Sequence, residues 1–335
     1  MKKDYAIPLC HESRSEWDNA LKGLKHSFAH TWDNCYAMHL STGYKTFLYC
    51  FEDDDIRIVC PFAEREYGKH KDIVTPYGFS GFTGNGDSKE FKEYWYDFMK
   101  KKNYVCGYIS INPVFQNDTY FDPDDAFQTT NLFFFDLTKS LTELFEDLNS
   151  NRKKQIKNFR RFESSFIYDR KILTDFLLNN YHDFLKSVNA SEANYFSTET
   201  LEYICSLDNI FMVGAGSADK TEAVYIFSYT DHIGDCMFNI SVPEGRKYTS
   251  LLFWSGLKFF RSKKIPLMNL GGGLREDDNL ALSKARYGGY KLPFKSLKQI
   301  YDADAYNQLC IEKGIDAEDK SGYFPAFRKE LKVES

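Results

Sequence analysis

The chain has 335 residues and a mass of 39.1 kDa, room for about two domains. A content of 43% hydrophobic and 27% charged residues excludes a disordered chain. The 48 acidic against 43 basic side chains, a net charge of −5, exclude a dedicated duplex-DNA binder, whose phosphate contacts need a surplus of Lys and Arg.

The spacing predicts helices over 15–24 and 27–40, then strands over 46–51 and 56–61, joined as a hairpin by the acidic turn Asp53-Asp54-Asp55. A glycine-rich loop follows over 72–82, DIVTPYGFSGF, and then a helix over 89–102 and a strand over 105–112. After a polar loop, strand character returns over 132–137 and helical character over 142–162. A short strand at 166–168 and helices over 173–188 and 198–207 lead to strands at 210–214, 223–229 and 236–242, which read as an antiparallel meander. An amphipathic helix over 250–260 and a strand at 267–270 complete the pattern. This is an α+β chain, with a break near residues 115–140.

Charge is split along the chain. Residues 1–140 hold the whole −5, and residues 141–335 are neutral although they contain basic clusters. The eight cysteines form no CxxC or CxxxC pair, which removes a zinc ribbon or thioredoxin motif and fits reduced thiols in a cytoplasmic protein. Asp4, His11, Glu12 and Arg14 interrupt any secretory h-region, and no apolar run approaches the ~20 residues of a membrane span.

Four stretches can carry chemistry. Val242-Pro243-Glu244-Gly245-Arg246-Lys247-Tyr248-Thr249-Ser250 ends a strand and opens a helix, whose free N–H groups and flanking cations suit phosphate or a simple capped start. Asn269-Leu270-Gly271-Gly272-Gly273 ends a strand in three glycines, allowing close approach of a ligand or a flexible turn. Arg152 to Arg161 carries six positive charges without an acid, suiting RNA, a nucleotide phosphate or plain solvation. His26, His30 and His39 lack the glutamate of an HExxH site, so no metal is expected. A GxSxG elbow and the kinase and P-loop signatures are missing.

In order, these stretches resemble the FemAB-like, dual-GNAT acyltransferases of bacterial surface-polysaccharide biosynthesis. His30-Thr31-Trp32 and Asp72–Phe82 are similar to the family's aromatic "DI-x-SPYGYGGP" region, and the helix from Arg152 resembles its basic "RR-x-I-x-KA" segment. Phe238-Asn239-Ile240-Ser241 stands where Tyr-His-Leu-Ser is frequent, and Asn269–Gly273 resembles the "LGGG" strand end. Asp278-Asn279-Leu280 with Lys284 and Tyr287, then Tyr323–Arg328, are similar to "D-x-L-x-x-F-K-x-x-F" and "FFP-x-YR". Ser283 replaces the usual aromatic before the lysine, and Asn239 replaces the frequent His.

The resemblance implies two tandem GNAT-like domains, 1–130 and 131–335, each a mixed, largely antiparallel sheet flanked by helices. It implies an N-acyltransferase that moves an acyl group from acyl-CoA or acyl carrier protein to the amine of a nucleotide-linked amino sugar. Attack is direct, and no cofactor is permanently bound. The donor would meet Asn239, Ser241, Arg246, Lys247, Tyr248 and Thr249, and the acceptor would meet His30, Trp32, Tyr77, Phe79, Tyr195, Lys284 and Arg286. Asp278 and His232 are the candidate bases, with a helix N-cap and a hairpin turn as their structural alternatives. Two other readings are a tRNA-dependent peptidoglycan cross-bridge ligase and a non-catalytic GNAT pair. The aromatic content is compatible with a homodimer.

Overall fold

A computed structural model describes residues 2–115, 118–217, 220–273, 275 and 278–329. Leu274, Glu276 and Asp277, which belong to the quoted glycine-rich stretch, lie outside the described residues. In chain order the strands are β1 (Lys3–Pro8), β2 (Lys45–Asp53), β3 (Ile56–Tyr67), β4 (His70–Val74), β5 (Thr83–Gly84), β6 (Tyr104–Ser110), β7 (Ala126–Asp136), β8 (Phe166–Ile167), β9 (Ile210–Ser217), β10 (Lys220–Tyr229), β11 (Gly234–Ser241), β12 (Leu267–Gly272) and β13 (Tyr290–Ile300). The helices are α1 (Arg14–Leu21), α2 (Trp32–Thr42), α3 (Phe91–Lys101), α4 (Leu141–Glu146), α5 (Ser150–Lys157), α6 (Phe159–Phe162), α7 (Arg170–Ser187), α8 (Thr198–Ser206), α9 (Thr249–Ser262), α10 (Asn279–Ala285) and α11 (Ala303–Glu312). The fold is α+β.

The chain forms two compact units, residues 1–35, 43–129 and 294–335 in the first and 36–42 and 130–293 in the second. The expected single cut after residue 130 does not reproduce them. Residues 294–329 return to the first unit because β13 pairs antiparallel with β6, Ser296 facing Ser110 and Ile300 facing Cys106. Behind that pairing, Val105 and Cys106 bury themselves against Tyr306, Leu309, Phe324 and Phe327. An ionic clamp completes the return. The Asp72 carboxylate, 1% exposed, accepts from Arg65 Nε at 2.7 Å and from Arg328 Nε at 2.6 Å.

Each unit has the same strand plan. In the first, β1-β2-β3-β4 is an antiparallel meander, α3 crosses over, and β6 returns parallel to β4. In the second, β8-β9-β10-β11 is the meander, α9 crosses over, and β12 returns parallel to β11. A crossover helix is what a parallel return requires. The first core is an aromatic lattice, in which Phe82 and Tyr49 meet Trp95 edge-to-face at centroid distances of 4.9 Å. Such pairs add about 0.5–1.5 kcal/mol each beyond the area they bury. The second core seats α9, buried over 250–257 and at Phe260, on Val213, Ala223, Tyr225, Phe227, Met268 and Leu270.

Two expectations change. The single helix over 142–162 is three helices, because Ser140 caps α4 and Asn149 starts a new one by accepting from Arg152 N–H at 2.9 Å. His26 and His30 do not share a helix face: Phe28–His30 is one 3-10 turn, and α2 begins only at Trp32. Asp72→Ala is expected to cost about 3 kcal/mol, since it strands two guanidinium groups around one buried position. Urea unfolding measures it, and a loss below about 1 kcal/mol would contradict the clamp.

Candidate functional site

In the second unit the parallel pair comes apart. β11 meets β12 at Gly234–Met268 and Asp235–Asn269, and the ladder stops there while both strands continue, β11 for six residues and β12 for three. Both strands are irregular at that point. Met237 is an extra residue in the β10–β11 ladder, between Phe238 (opposite Ile226) and Cys236 (opposite Phe227), and the β12–β7 register shifts between Asn269 and Gly271. Bulges bend and twist a strand, and here two of them turn the strands away from each other. Gly271 makes its turn at φ +75°, a conformation that favours glycine, and its N–H donates to Asn269 Oδ1 at 2.8 Å.

The first unit supplies the contrast. Its parallel pair runs Lys71–Tyr104, Ile73–Gly107 and Val74–Tyr108, and beyond it Thr75 N–H donates to the Tyr108 carbonyl at 3.1 Å. A further bridge joins Ser80 to Ile111. That pair stays zipped. The open fork therefore belongs to the second unit, and its inner edges present strand backbone that no ladder between β11 and β12 satisfies, the polar groups an extended ligand can pair with.

Side chains around the fork divide by face. Cys236, Met268 and Leu270 face α9 and its core. Lys284, on α10, reaches back so that Nζ donates to the Gly272 carbonyl at 2.9 Å. Burial pushes its pKa down to about 8, against the partial support of Cys236 and Asp278. The Cys236 thiol is pushed up to about 12 by burial, so it stays protonated and is a poor nucleophile. Arg152 donates to Ser250 Oγ at 2.7 Å and to Ser283 Oγ at 3.1 Å, and its guanidinium lies 4.2 Å from the centroid of the Tyr287 ring. Ser283, where the resemblance expects an aromatic ring, is thus a ligand of this arginine. Asn239 Oδ1, on the fork's β11 edge, is buried without a hydrogen-bond partner.

The expected site residues scatter. Asn239 and Ser241, half-buried, lie on the free stretch of β11; Arg246 and Lys247 are exposed just beyond it, Lys247 Nζ 3.2 Å from Glu222. Thr249 opens α9, whose first turn has no side-chain cap. Tyr248 is corrected: it is 6% exposed and packs in the core beneath Lys247, so its ring holds the turn instead of facing a donor. Asp278 is the N-cap of α10, its Oδ1 accepting from Ala281 N–H at 2.7 Å and its Oδ2 from Arg275 N–H at 3.1 Å. Two bonds from backbone donors suit a cap and oppose service as a base. His232 sits in the β10–β11 turn with its N–H on Thr230 Oγ1, roughly 20 Å of strand from Asn239. Tyr195 stacks obliquely with His182 at 5.9 Å, and Arg286 is the exposed C-cap of α10.

In the first unit, His30 and Trp32 are also corrected. They are 0% and 1% exposed, and burial pushes the His30 pKa down to about 3. His30 Nδ1 accepts from Ser27 N–H, and Ser27 Oγ and Asn112 Nδ2 both donate to the Phe79 carbonyl at 2.9 Å. They fix the 75–82 loop from behind. The loop itself presents Tyr77, 44% exposed, and folds Phe79 against Phe294. Sequence reasoning gave no site role to Cys236 or to the Asp235–Asn269 pair, because nothing local marks where two strands part.

The comparisons bear on this plan of strands. No family model matches the sequence, and no curated relative does. Among solved structures, FemX superposes with a TM-score of 0.68 at 10% identity, over 91% of this chain and 99% of that one. The chain has a FemAB-like, dual-GNAT fold. L-PGS from Bacillus licheniformis is also similar in structure to this chain, with a TM-score of 0.58 at 11% identity over 86% and 92% of the two chains. So is a conserved protein of unknown function from Bacteroides thetaiotaomicron, with a TM-score of 0.58 at 12% identity over 90% and 100%. Among the described residues, no helix is long and apolar enough to cross a membrane, and no cluster of His, Cys, Asp and Glu could hold a metal ion.

Two measurements check the site. Asp278→Ala should cost about 1 kcal/mol and Asp278→Ser almost nothing, as for any N-cap; equal losses would refute that role. Competitive acetylation across pH should find Lys284 half-reactive near pH 8, well below exposed lysines, and a midpoint above pH 10 would contradict its burial.

Proposed function

We propose that the protein is an acyltransferase that moves an acyl group from an activated donor, held in the β11–β12 fork, to an amine. The open fork carries this reading. An extended donor arm laid between the strands can take the backbone bonds that β11 and β12 do not give each other, as an added strand would. Its carbonyl, polarised by strand N–H groups, needs no nucleophilic side chain from the enzyme, in keeping with a Cys236 thiol held protonated. Lys284, at the β12 edge, brings a positive charge close to that carbonyl or to the acceptor. Arg246 and Lys247, exposed in the turn before α9, and Thr249 at its start suit the donor's phosphates. Asn239 and Ser241 would hold the arm between.

With acyl-CoA or acyl carrier protein as donor, bound only as co-substrate, the acceptor is an amino sugar carried on a nucleotide and the reaction belongs to surface-polysaccharide biosynthesis. Tyr195 and Arg286, in the second unit, are then acceptor contacts. A second reading, cross-bridge aminoacyl transfer from tRNA, is favoured by the likeness to FemX and by the exposed Lys154, Lys157, Arg160 and Arg161 on α5 and α6. These two readings share the fork and differ in what fills it.

One screen separates them. The purified chain is incubated with short acyl-CoAs and amino-sugar nucleotides, and in parallel with aminoacyl-tRNAs and a peptidoglycan-precursor peptide, and products are identified by mass. RNase-insensitive amide formation with thiol release supports the first reading; RNase-sensitive transfer supports the second. Absence of transfer in both arms would overturn acyl transfer altogether. In the productive arm, Asn239→Ala should raise the donor KM about tenfold, the worth of one hydrogen bond, with kcat little changed.

A further inference from the structure

Asp235 stands at the point where the fork opens, and nothing in the resemblance assigns it a role. It is half-buried, opposite Ser228 on β10 and Asn269 on β12, and Asn269 in turn is opposite Phe134 on β7. Residues paired across neighbouring strands share a face. Ser228, Asp235, Asn269 and Phe134 thus form a row across four strands, on the face away from α9, to which Cys236, Met268 and Phe135 point.

That placement has a stereochemical consequence. A donor arm paired with strand edges holds its carbonyl near the plane of the sheet, because hydrogen bonds to strand N–H groups run in that plane. A nucleophile must approach a carbonyl from above or below its plane. Phe253, Leu257 and the rest of the α9 core fill one side. The other side is the one on which Asp235 stands. We infer that Asp235 is the catalytic base of the transfer, taking the proton from the acceptor amine as it attacks from the face opposite α9. This rests on the acyl-transfer reading above.

The step balances without any further reactant. The amine nitrogen forms the C–N bond, its proton passes to an Asp235 carboxylate oxygen, the carbonyl re-forms, and the C–S bond (C–O for an ester donor) breaks. The proton then leaves on the thiolate or alkoxide. Asn269 makes the arrangement rigid: its Nδ2 donates to Asp235 Oδ1 at 3.0 Å while its Oδ1 holds the Gly271 N–H. One amide therefore ties the carboxylate to the glycine turn that opens the fork. Burial pushes the Asp235 pKa up to about 7, offset only by the Asn269 bond. The groups facing it are Ser228 from β10 and Asn269 from β12, with the Cys236 thiol beside it on β11; no charged side chain among the described residues acts on it. A carboxyl that titrates there is ionised in half the molecules at neutral pH and basic enough to accept a proton.

The test uses the donor and amine that the screen identifies. In the wild type, kcat/KM should rise with pH and level off above about pH 7. Asp235→Asn should lower kcat by about 100-fold or more, abolish that rise and leave the donor KM within about threefold. Asp235→Glu should restore part of the rate together with a pH-dependent limb. A folded Asp235→Asn protein that keeps its rate or its limb overturns the base and leaves acyl transfer standing. A wild type without transfer to any amine overturns the underlying reading, and the base with it. Should Asp235→Asn fail to fold, carbon-13 NMR of the wild-type carboxyl decides: titration coincident with the kinetic limb supports the assignment, and titration below pH 5 overturns it.

Discussion

Everything proposed for this protein depends on two strands that stop pairing. Parallel neighbours normally exchange backbone bonds along their full overlap, and each bond left unmade away from water carries a desolvation cost. β11 and β12 exchange theirs for two residues and then part, held at the branch by one asparagine that bonds to both sides. The bulge at Met237 and the left-handed turn at Gly271 convert a local irregularity into a wedge. A ligand that supplied the missing bonds would relieve the cost, so in the proposed acyl transfer the wedge serves as a binding feature built from main chain, which side chains need only tune.

The first unit shows what the same strand plan does without those devices. Its meander, crossover and parallel return are alike, but β4 and β6 remain joined, and Asp72 on β4 is spent on the two arginines that clamp the returning tail. Ser27, Asn34 and Asn112 are likewise spent on a loop, through bonds to the Tyr77 and Phe79 carbonyls, and His30 holds the Ser27 N–H. Polar groups that in the sequence look like chemistry are, in this unit, the partners that buried backbone demands.

Much of the fold was legible in the sequence because its signals are local. Alternation marked β2, β3 and β10, the acidic turn at 53–55 marked the first hairpin, and helical spacing marked α3, α7, α8 and α9. The break of the 142–162 helix was written locally too, in Ser140 and Asn149, but apolar periodicity through Ile156 and Phe159 masked it. The edge strand β1 was missed, since Lys3 and Asp4 blunt its apolar pattern. Of the candidate site, the stretch around Arg246 was read from its own residues and those around Asn239 and Lys284 from the resemblance. Tyr248, His30 and Trp32 were misplaced, for residue type alone does not say whether a ring faces a ligand or fills a core.

The sequence by itself determined the α+β class, the order of hairpins and helices, and the neighbourhoods where polar residues gather, because propensity, capping and turn chemistry act over a few residues. Tertiary structure alone decided that residues 294–329 complete the first unit, that one parallel pair is zipped and the other open, and that Asp235 faces Asn269 at the branch. Those are facts of register between strands more than 30 residues apart. Register is set by the packing of whole faces, so no single stretch of chain contains it.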